Sequence, residues 1–526
     1  MDGDGRAEGA PEASTSGGEP GHHHEPFGEL PAEVMELALK RLKPRARACA
    51  ASTCRGWRQV LEPSTSAAWE RVSSREVLEE YEGEVLSATL ALSNMLTVNG
   101  GFVAELCFSG FSCPAPCMMA EIFRKRLVPN LLAADLSFSS AEGDSLYWML
   151  MQCPKLAKVD VRGCNLCADT QWLYNLIYYI EKEWDVLEKR VEFAVRAVNL
   201  KGAFSKQQFH NSFLLILSST CPRLKALQLG WVSEFPRAPA EGSPAAHDPR
   251  CFWPLRGLNN FPQPLTRLDL SGCLGVQDVN LKGIFAACPR LEHLSVGCCP
   301  GVSWASFSAL ATQSLHSLNV RACRQLADED VLRVLRRNPN LVRLNVSCTQ
   351  LTDAVLDALP HLCRHLQALD ACCSPRLTSA GLLRAVKGLG HLADVGFSGF
   401  SDMTDEVFVD LVRARGGLRH LGFGACPGLS DAALRCVAEA CPTIEQLLLF
   451  DNPQFSLAAL AGLVEACRHL SGLCPPRFTL PWDVRAGALD EPAMRAAAAD
   501  PTNPEGPAIA ALLAPLRRLG YRFEDW

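Results

Sequence analysis

Apolar and polar positions follow one nine-residue phrase that recurs along most of this chain. Its clearest copy is LEHLSVGCC, Leu291 to Cys299, with leucine or a relative at positions one, four and six and cysteine at position nine. The phrase returns as LHSLNVRAC from Leu315 and as LRHLGFGAC from Leu418. Its first apolar position falls at Val103, Leu131, Leu156, Val195, Leu224, Leu265, Leu291 and Leu315, then at Leu341, Leu366, Leu392, Leu418, Ile444 and a degenerate Leu470. From Leu265 onward the spacing stays between 24 and 26 residues, whereas insertions stretch it to as much as 41 before that point.

Alternation of period two inside the phrase predicts a short strand, with residues one, four and six facing the core and three, five and seven facing away. The stretch after each phrase, such as DAALRCVAEAC (Asp431 to Cys441), has apolar residues at helical spacing behind an acidic N-cap candidate. Cys-Pro pairs at Cys153, Cys221, Cys288 and Cys441 predict the turn back to the next strand. At position nine, Cys164, Cys273, Cys299, Cys323, Cys426 and Asn452 are expected to satisfy backbone groups where the chain leaves the strand. Thr349, Ser374 and Phe400 depart from that pattern, with Cys348 and Cys373 standing one place early. Strands stacked about 4.8 Å apart in front of wider helices force a curve. The expected fold is therefore α/β, a horseshoe-shaped solenoid with parallel strands inside and helices outside. The units resemble the cysteine-containing subclass of leucine-rich repeats.

The array is expected to span residues 103–474 in about 13–14 units, with insertions at 168–193, read as an enlarged helix, and 232–263, read as a long Pro/Ala/Gly-rich loop. Residues 1–26, polar and Gly-rich with three histidines at His22 to His24, lack the apolar content to offset ordering entropy and are expected to be disordered. Residues 73–102 read as a helical linker. Residues 475–526 read as a cap over the last repeat or as a tail crossing the concave face.

Residues 27–72 stand outside the repeat. LPAEVMELALKRL, from Leu30 to Leu42, has Pro31 in a first helical turn and apolar residues at Val34, Leu37 and Leu42. Two further short helices are expected, the last carrying Cys54, Trp57 and Val60, with Trp69 just beyond. Three short helices bury little core alone, so the unit needs a neighbour or a partner. Leu30, Pro31 and Glu33, then Leu42, then Cys54, Arg55 and Trp57, and finally Trp69 resemble in order and spacing the F-box family. That resemblance implies docking onto a Skp-type adaptor and, through it, onto cullin and RING subunits. Leu30, Pro31, Val34, Leu37, Leu42 and Trp57 are the residues it assigns to adaptor contact or support. The other reading of this stretch is a plain helical cap for the solenoid.

Composition narrows the function. A formal charge of −6 argues against bulk electrostatic binding to nucleic acid or anionic lipid. No apolar run approaches the roughly 20 residues of a membrane span, and the acidic, Gly-rich start is unlike a signal peptide. The expected location is cytoplasmic, with KRLKPRAR (Lys40 to Arg47) also readable as a nuclear signal. The 24 cysteines are then read as reduced structural thiols, most of them at repeat positions. Cys164 and Cys167 form a lone C-x-x-C without the second pair of a zinc site. No P-loop, nucleophile elbow, or Cys/His array stands out, so no catalytic residue, metal or cofactor is expected.

What remains is recognition by the outward strand positions. Arg267, His293, Arg321, Arg343, His420, Leu448 and Phe450 are the candidate substrate-binding residues. The arginines would suit an acidic or phosphorylated partner, and Leu448 with Phe450 would either offer an apolar pocket beside Gly396, Gly422 and Gly424 or lie under the C-terminal tail. Two functions fit: the substrate-recognition subunit of an SCF-type (Skp–cullin–F-box) ubiquitin ligase, which the F-box resemblance implies, and a stand-alone interaction scaffold.

Overall fold

A computed structural model describes residues 70–474 apart from 82–84, 113–115, 167–170, 188–190, 204–215, 230–264 and a few single positions; outside that range it describes only isolated residues. The adaptor-contact residues assigned above, the 232–263 insertion and nearly all of 475–526 lie outside the described residues.

The described chain forms one 15-stranded parallel sheet whose strand order follows the sequence from β1 (Arg71–Ser73) to β15 (Gly472–Cys474). Each strand is three residues long and in register with its neighbours, as in Leu268↔Leu294 and Leu294↔Leu318. The middle residue of each rung is buried, from Val72 through Leu106, Leu268 and Leu344 to Leu473. The sheet starts ahead of Val103: β1 pairs with β2 (Glu105–Cys107), and helices Ser74–Glu80 and Val85–Asn99 lie between them. The 168–193 insertion contains the helix Gln171–Leu187, against ten-residue helices in the regular repeats.

Position nine behaves as the pattern predicts, and more broadly. The Cys164 Sγ donates to the Leu136 carbonyl at 2.9 Å and the Cys323 Sγ to the Val296 carbonyl at 3.2 Å. The Asn452 amide reaches the Phe423 and Leu449 carbonyls at 2.6 and 3.1 Å. Thr349 and Ser374 are no exceptions: both are buried, and their hydroxyls donate to the Val346 carbonyl at 2.6 and 3.1 Å. Phe400 fills the position with a buried ring instead.

Cys348 and Cys373 hold a different place. Position eight of every described repeat turns through the left-handed region: Gly110, Phe138, Gly163, Gly202, Gly272, Cys298, Ala322, Cys348, Cys373, Gly399, Ala425 and Asp451 all have φ between 51° and 84°. Glycine is the residue best suited there, because a Cβ costs about 1–2 kcal/mol in this conformation. Cys298 is partly exposed and Cys373 exposed, unlike the buried cysteines of position nine.

The helices are capped in a linked fashion. Asp431 is the first helical residue rather than the cap; Ser430 caps, its Oγ accepting from the Ala432 N–H. The Asp431 carboxylate instead accepts from the N–H and Oγ of Ser456, the next repeat's cap, at 2.8 and 2.6 Å. Asp328–Thr352 and Asp353–Thr378 repeat the bridge, each at 2.8 and 2.5 Å. Asp278–Ser303 and Asp405–Ser430 use the same partners. Each acid thus favours its own helix N-terminus and ties it to the following repeat.

Candidate binding surface on the inner sheet face

Strand geometry lines the outward side chains into rows across the sheet. The first row includes Arg267, His293, Ser317, Arg343, Ala368, Asp394, His420 and Gln446; the next includes Asp269, Ser295, Asn319, Asn345, Asp370, Gly396, Gly422 and Leu448. Position seven, just past the strand, supplies Arg321 and Phe450. The sheet therefore gathers the seven candidates onto one face and its rim, although sequence separates them by up to 183 residues.

Not every polar residue of that face is available. The carboxylate or amide at position five caps the turn behind its own strand. Asp269 accepts from the Ser271 N–H at 2.9 Å, and Asn319 from the Arg321 N–H and Asn345 from the Ser347 N–H, both at 3.0 Å. Asp160 does the same for Arg162 at 3.1 Å and also pairs with its guanidinium at 3.0 Å; Lys201 pairs with Asp269 at 2.5 Å. These acids, which the alternation marks as binding positions, have local structural duties.

The cations are freer. Lys158, Arg267, Arg321 and Arg343 have no ion-pair partner among the described residues, and all four are exposed. His293 sits directly beside Arg267 in register, one step from Ser317 and two from Arg343. Burial first, then the positive charges of Arg267, His316 and Arg343, hold the His293 imidazole below its usual pKa, with Glu292 opposing. The stretch of the row from Arg267 through His293 to Arg343 thus carries a cluster of cations that would attract an anion.

This gives a pH prediction. The folded pKa of His293 lies below the unfolded one, so protonating it opposes folding, and its cost appears as pH falls below about 6.5. An acidic ligand on the row would stabilise the imidazolium, raise that pKa and bind more tightly as pH falls through the same window. Titration of the His293 ring by NMR checks this. The free midpoint should lie below that of an exposed histidine and move up with ligand.

The far end is apolar and partly acidic. Leu448 is 47% exposed and rests on Gly422, where an added Cβ would lie 3.6 Å from it. The Phe450 ring covers Gly424 so closely that a Cβ there would meet it at 2.5 Å. Between this shelf and the arginines, the Asp370 carboxylate occupies the space Gly396 leaves open. Burial, then Asp394, push the Asp370 pKa up, against the attraction of Arg321. His420 Nδ1 lies 3.0 Å from Asp394 Oδ1 without hydrogen-bond alignment, since that oxygen accepts no hydrogen bond.

One feature of the face is silent in the sequence. The first repeats form a concavity of about 400 Å³ floored by Ala133, Ala197 and Ala226 and walled by Arg71, Glu105, Lys158 and Arg267. Alanine at an outward strand position carries no chemical signal; only the neighbouring long side chains turn it into a groove. Among the described residues, no group of three His, Cys, Asp or Glu side chains is placed to hold a metal ion.

Two family models match parts of this chain. The family model for the F-box domain matches residues 27–63, and that for the leucine-rich repeat matches residues 337–359. The F-box protein FBX14 of Arabidopsis thaliana is 23% identical over 276 residues, covering 49% of this chain and 37% of the relative. The chain thus spans little more than a third of that relative's length. Among solved structures, the yeast Rad7–Elc1 complex contains a chain 14% identical, with a TM-score of 0.47, covering 81% of this chain and 89% of that one. An internalin (inlF) of Listeria monocytogenes is 15% identical, with a TM-score of 0.33, covering 78% and 93%. The chain thus carries an F-box domain match at residues 27–63 and a leucine-rich-repeat match at residues 337–359 within a parallel sheet whose strand order follows the sequence, the two modules that F-box and leucine-rich-repeat proteins combine.

Proposed function

We propose that the chain is the substrate-recognition subunit of an SCF-type ubiquitin ligase in the cytoplasm. The observation that carries this is the F-box match at residues 27–63, ahead in sequence of one continuous 15-stranded parallel sheet. In this reading, Leu30, Pro31, Val34, Leu37, Leu42 and Trp57 contact or support a Skp-type adaptor, which brings the cullin and RING subunits. The solenoid holds the substrate. Arg267, His293, Arg321 and Arg343 attract an acidic or phosphorylated segment; His420, Leu448 and Phe450 receive an apolar side chain next to it. Catalysis is proximity: the bond to ubiquitin is made on other subunits, and this chain raises the effective concentration of the substrate lysine beside them. A stacked, rigid solenoid suits that task because it fixes the distance between its two ends.

The test is direct binding of a purified Skp-type adaptor to the full chain. Wild type should bind, and Leu30→Ala/Pro31→Ala should bind at least ~30-fold more weakly, the loss expected for an interface hot spot of about 2 kcal/mol. No measurable binding by a folded wild type would leave an interaction scaffold without a ligase role.

A further inference from the structure

Cysteines lie along the rim where the strands end, and two of them are neighbours. Cys348 and Cys373 both occupy position eight, with φ of 59° and 52°. Their backbones are in ladder contact: the Cys348 N–H donates to the Cys372 carbonyl at 2.7 Å, and the Cys373 N–H to the Ser398 carbonyl at 2.6 Å.

Side chains at this position lean onto the next repeat. The Phe138 ring lies 2.4 Å from where Gly163 would carry a Cβ, and the Cys373 Sγ lies 3.3 Å from the equivalent point on Gly399. The same lean would turn the Cys348 side chain toward Cys373, which holds the equivalent position in the next repeat. Adjacent parallel strands stand about 4.8 Å apart, inside the roughly 4.4–6.8 Å Cα window of a disulfide.

No other pair of position-eight cysteines is adjacent among the described residues. Cys298 has Gly272 and Ala322 as its neighbours. The core cysteines differ in kind: Cys153, Cys221 and Cys323 are buried, and burial pushes each thiol up to about 12. Cys373 is exposed and Cys348 partly so, and both are free thiols.

We propose that Cys348 and Cys373 form a dithiol site on the rim of the concave face, closed to an inter-repeat disulfide by exchange with a small-molecule disulfide such as oxidised glutathione. One thiolate attacks a glutathione sulfur, forming a mixed disulfide and expelling the first glutathione thiolate. The second thiolate then attacks the protein-side sulfur, forming the Cys348–Cys373 bond and expelling the second. Two electrons pass from the protein thiols to the glutathione disulfide, and the two protons go to the departing glutathiones. The bridge closes a loop of 24 intervening residues on the rim that also carries Arg321 and Phe450. Burial, then the neighbouring Cys348, raise the Cys373 thiol, so exchange quickens about tenfold per pH unit through the neutral range. The site does not depend on the ligase reading.

The test uses the full reduced chain incubated with oxidised glutathione at mildly alkaline pH, then alkylated and mapped by mass spectrometry. The expected product has lost two hydrogens, about 2 Da, and yields a linked peptide pair containing Cys348 and Cys373. Cys348→Ser and Cys373→Ser should each stop at one glutathione adduct on the remaining partner, whereas Cys298→Ser should still form the bridge. Two separate adducts on wild-type Cys348 and Cys373, or a bridge mapping to Cys372 or Cys298, would overturn the assignment. That result needs no variant, so it stands even if a serine substitution impairs folding.

Discussion

Replacing Phe423 by alanine is expected to destabilise the solenoid by about 3–5 kcal/mol, the usual cost of truncating a fully buried aromatic ring. Phe423 has no exposed surface and stands where three repeats meet. Its ring stacks on Phe397 at 6.0 Å between centroids with the planes 14° apart, packs against Phe408 at 4.7 Å, and meets Phe455 edge-on at 6.1 Å. Contacts of this kind add to area burial, and the cavity left would be lined by rings too rigid to collapse into it. In a repeat array stability is a sum of unit and interface terms, so the damage should be local. Urea unfolding with hydrogen exchange reads this: the midpoint drops and protection falls first over residues 394–460. Uniform loss of protection would argue against the nearest-neighbour picture.

Asp353→Ala should cost about 2–3 kcal/mol, because its carboxylate accepts two charge-assisted hydrogen bonds from Thr378, at 2.8 and 2.5 Å, and little else can take its place. The site is built around that carboxylate. A Cβ on Gly381 would meet Asp353 side-chain atoms at 2.3–2.4 Å, so Gly381→Ala should destabilise as well. Once Asp353 is alanine, that penalty should largely disappear. The double-mutant cycle checks this, since coupling is expected only between groups in contact. Additive losses would mean that the carboxylate does not fill the space above Gly381.

Much of this fold is legible in the sequence, and for a physical reason. Core positions one, four and six are fixed by strand alternation and recur, so Leu291, Leu294 and Val296 announce themselves in every copy. Position nine is broader than its cysteines suggest. Where a donor stands there it bonds a carbonyl, as Thr349 and Ser374 do as well as cysteine, and Phe400 shows that a buried ring can fill the place instead. Position eight escapes notice because its signature is conformational: glycine in five described repeats and a scatter of Phe, Cys, Ala and Asp in the others, a pattern that makes sense only once a left-handed turn is known. The acids mislead in the same way. Asp269 and Asp353 look like surface charge in sequence, and only the fold shows one closing a turn and the other joining two repeats. The binding face itself is half visible. Charged and large apolar residues can be assigned to it by register, but the groove floored by Ala133, Ala197 and Ala226 is made by residues with no chemistry of their own.

The proposed function needs the two ends of the chain to work together, an adaptor held by the F-box while the concave face holds a substrate. The most direct measurement is an affinity purification on a tagged Skp-type adaptor with the wild-type chain and with Arg267→Glu/Arg343→Glu, under blocked degradation. Both chains should be recovered with the adaptor in equal amount, while proteins captured by wild type should be lost at least ~10-fold with the charge-reversed face, since like charges across an interface cost well over ~1.4 kcal/mol. Recovery of neither chain with the adaptor, or an unchanged set of captured proteins, would contradict it.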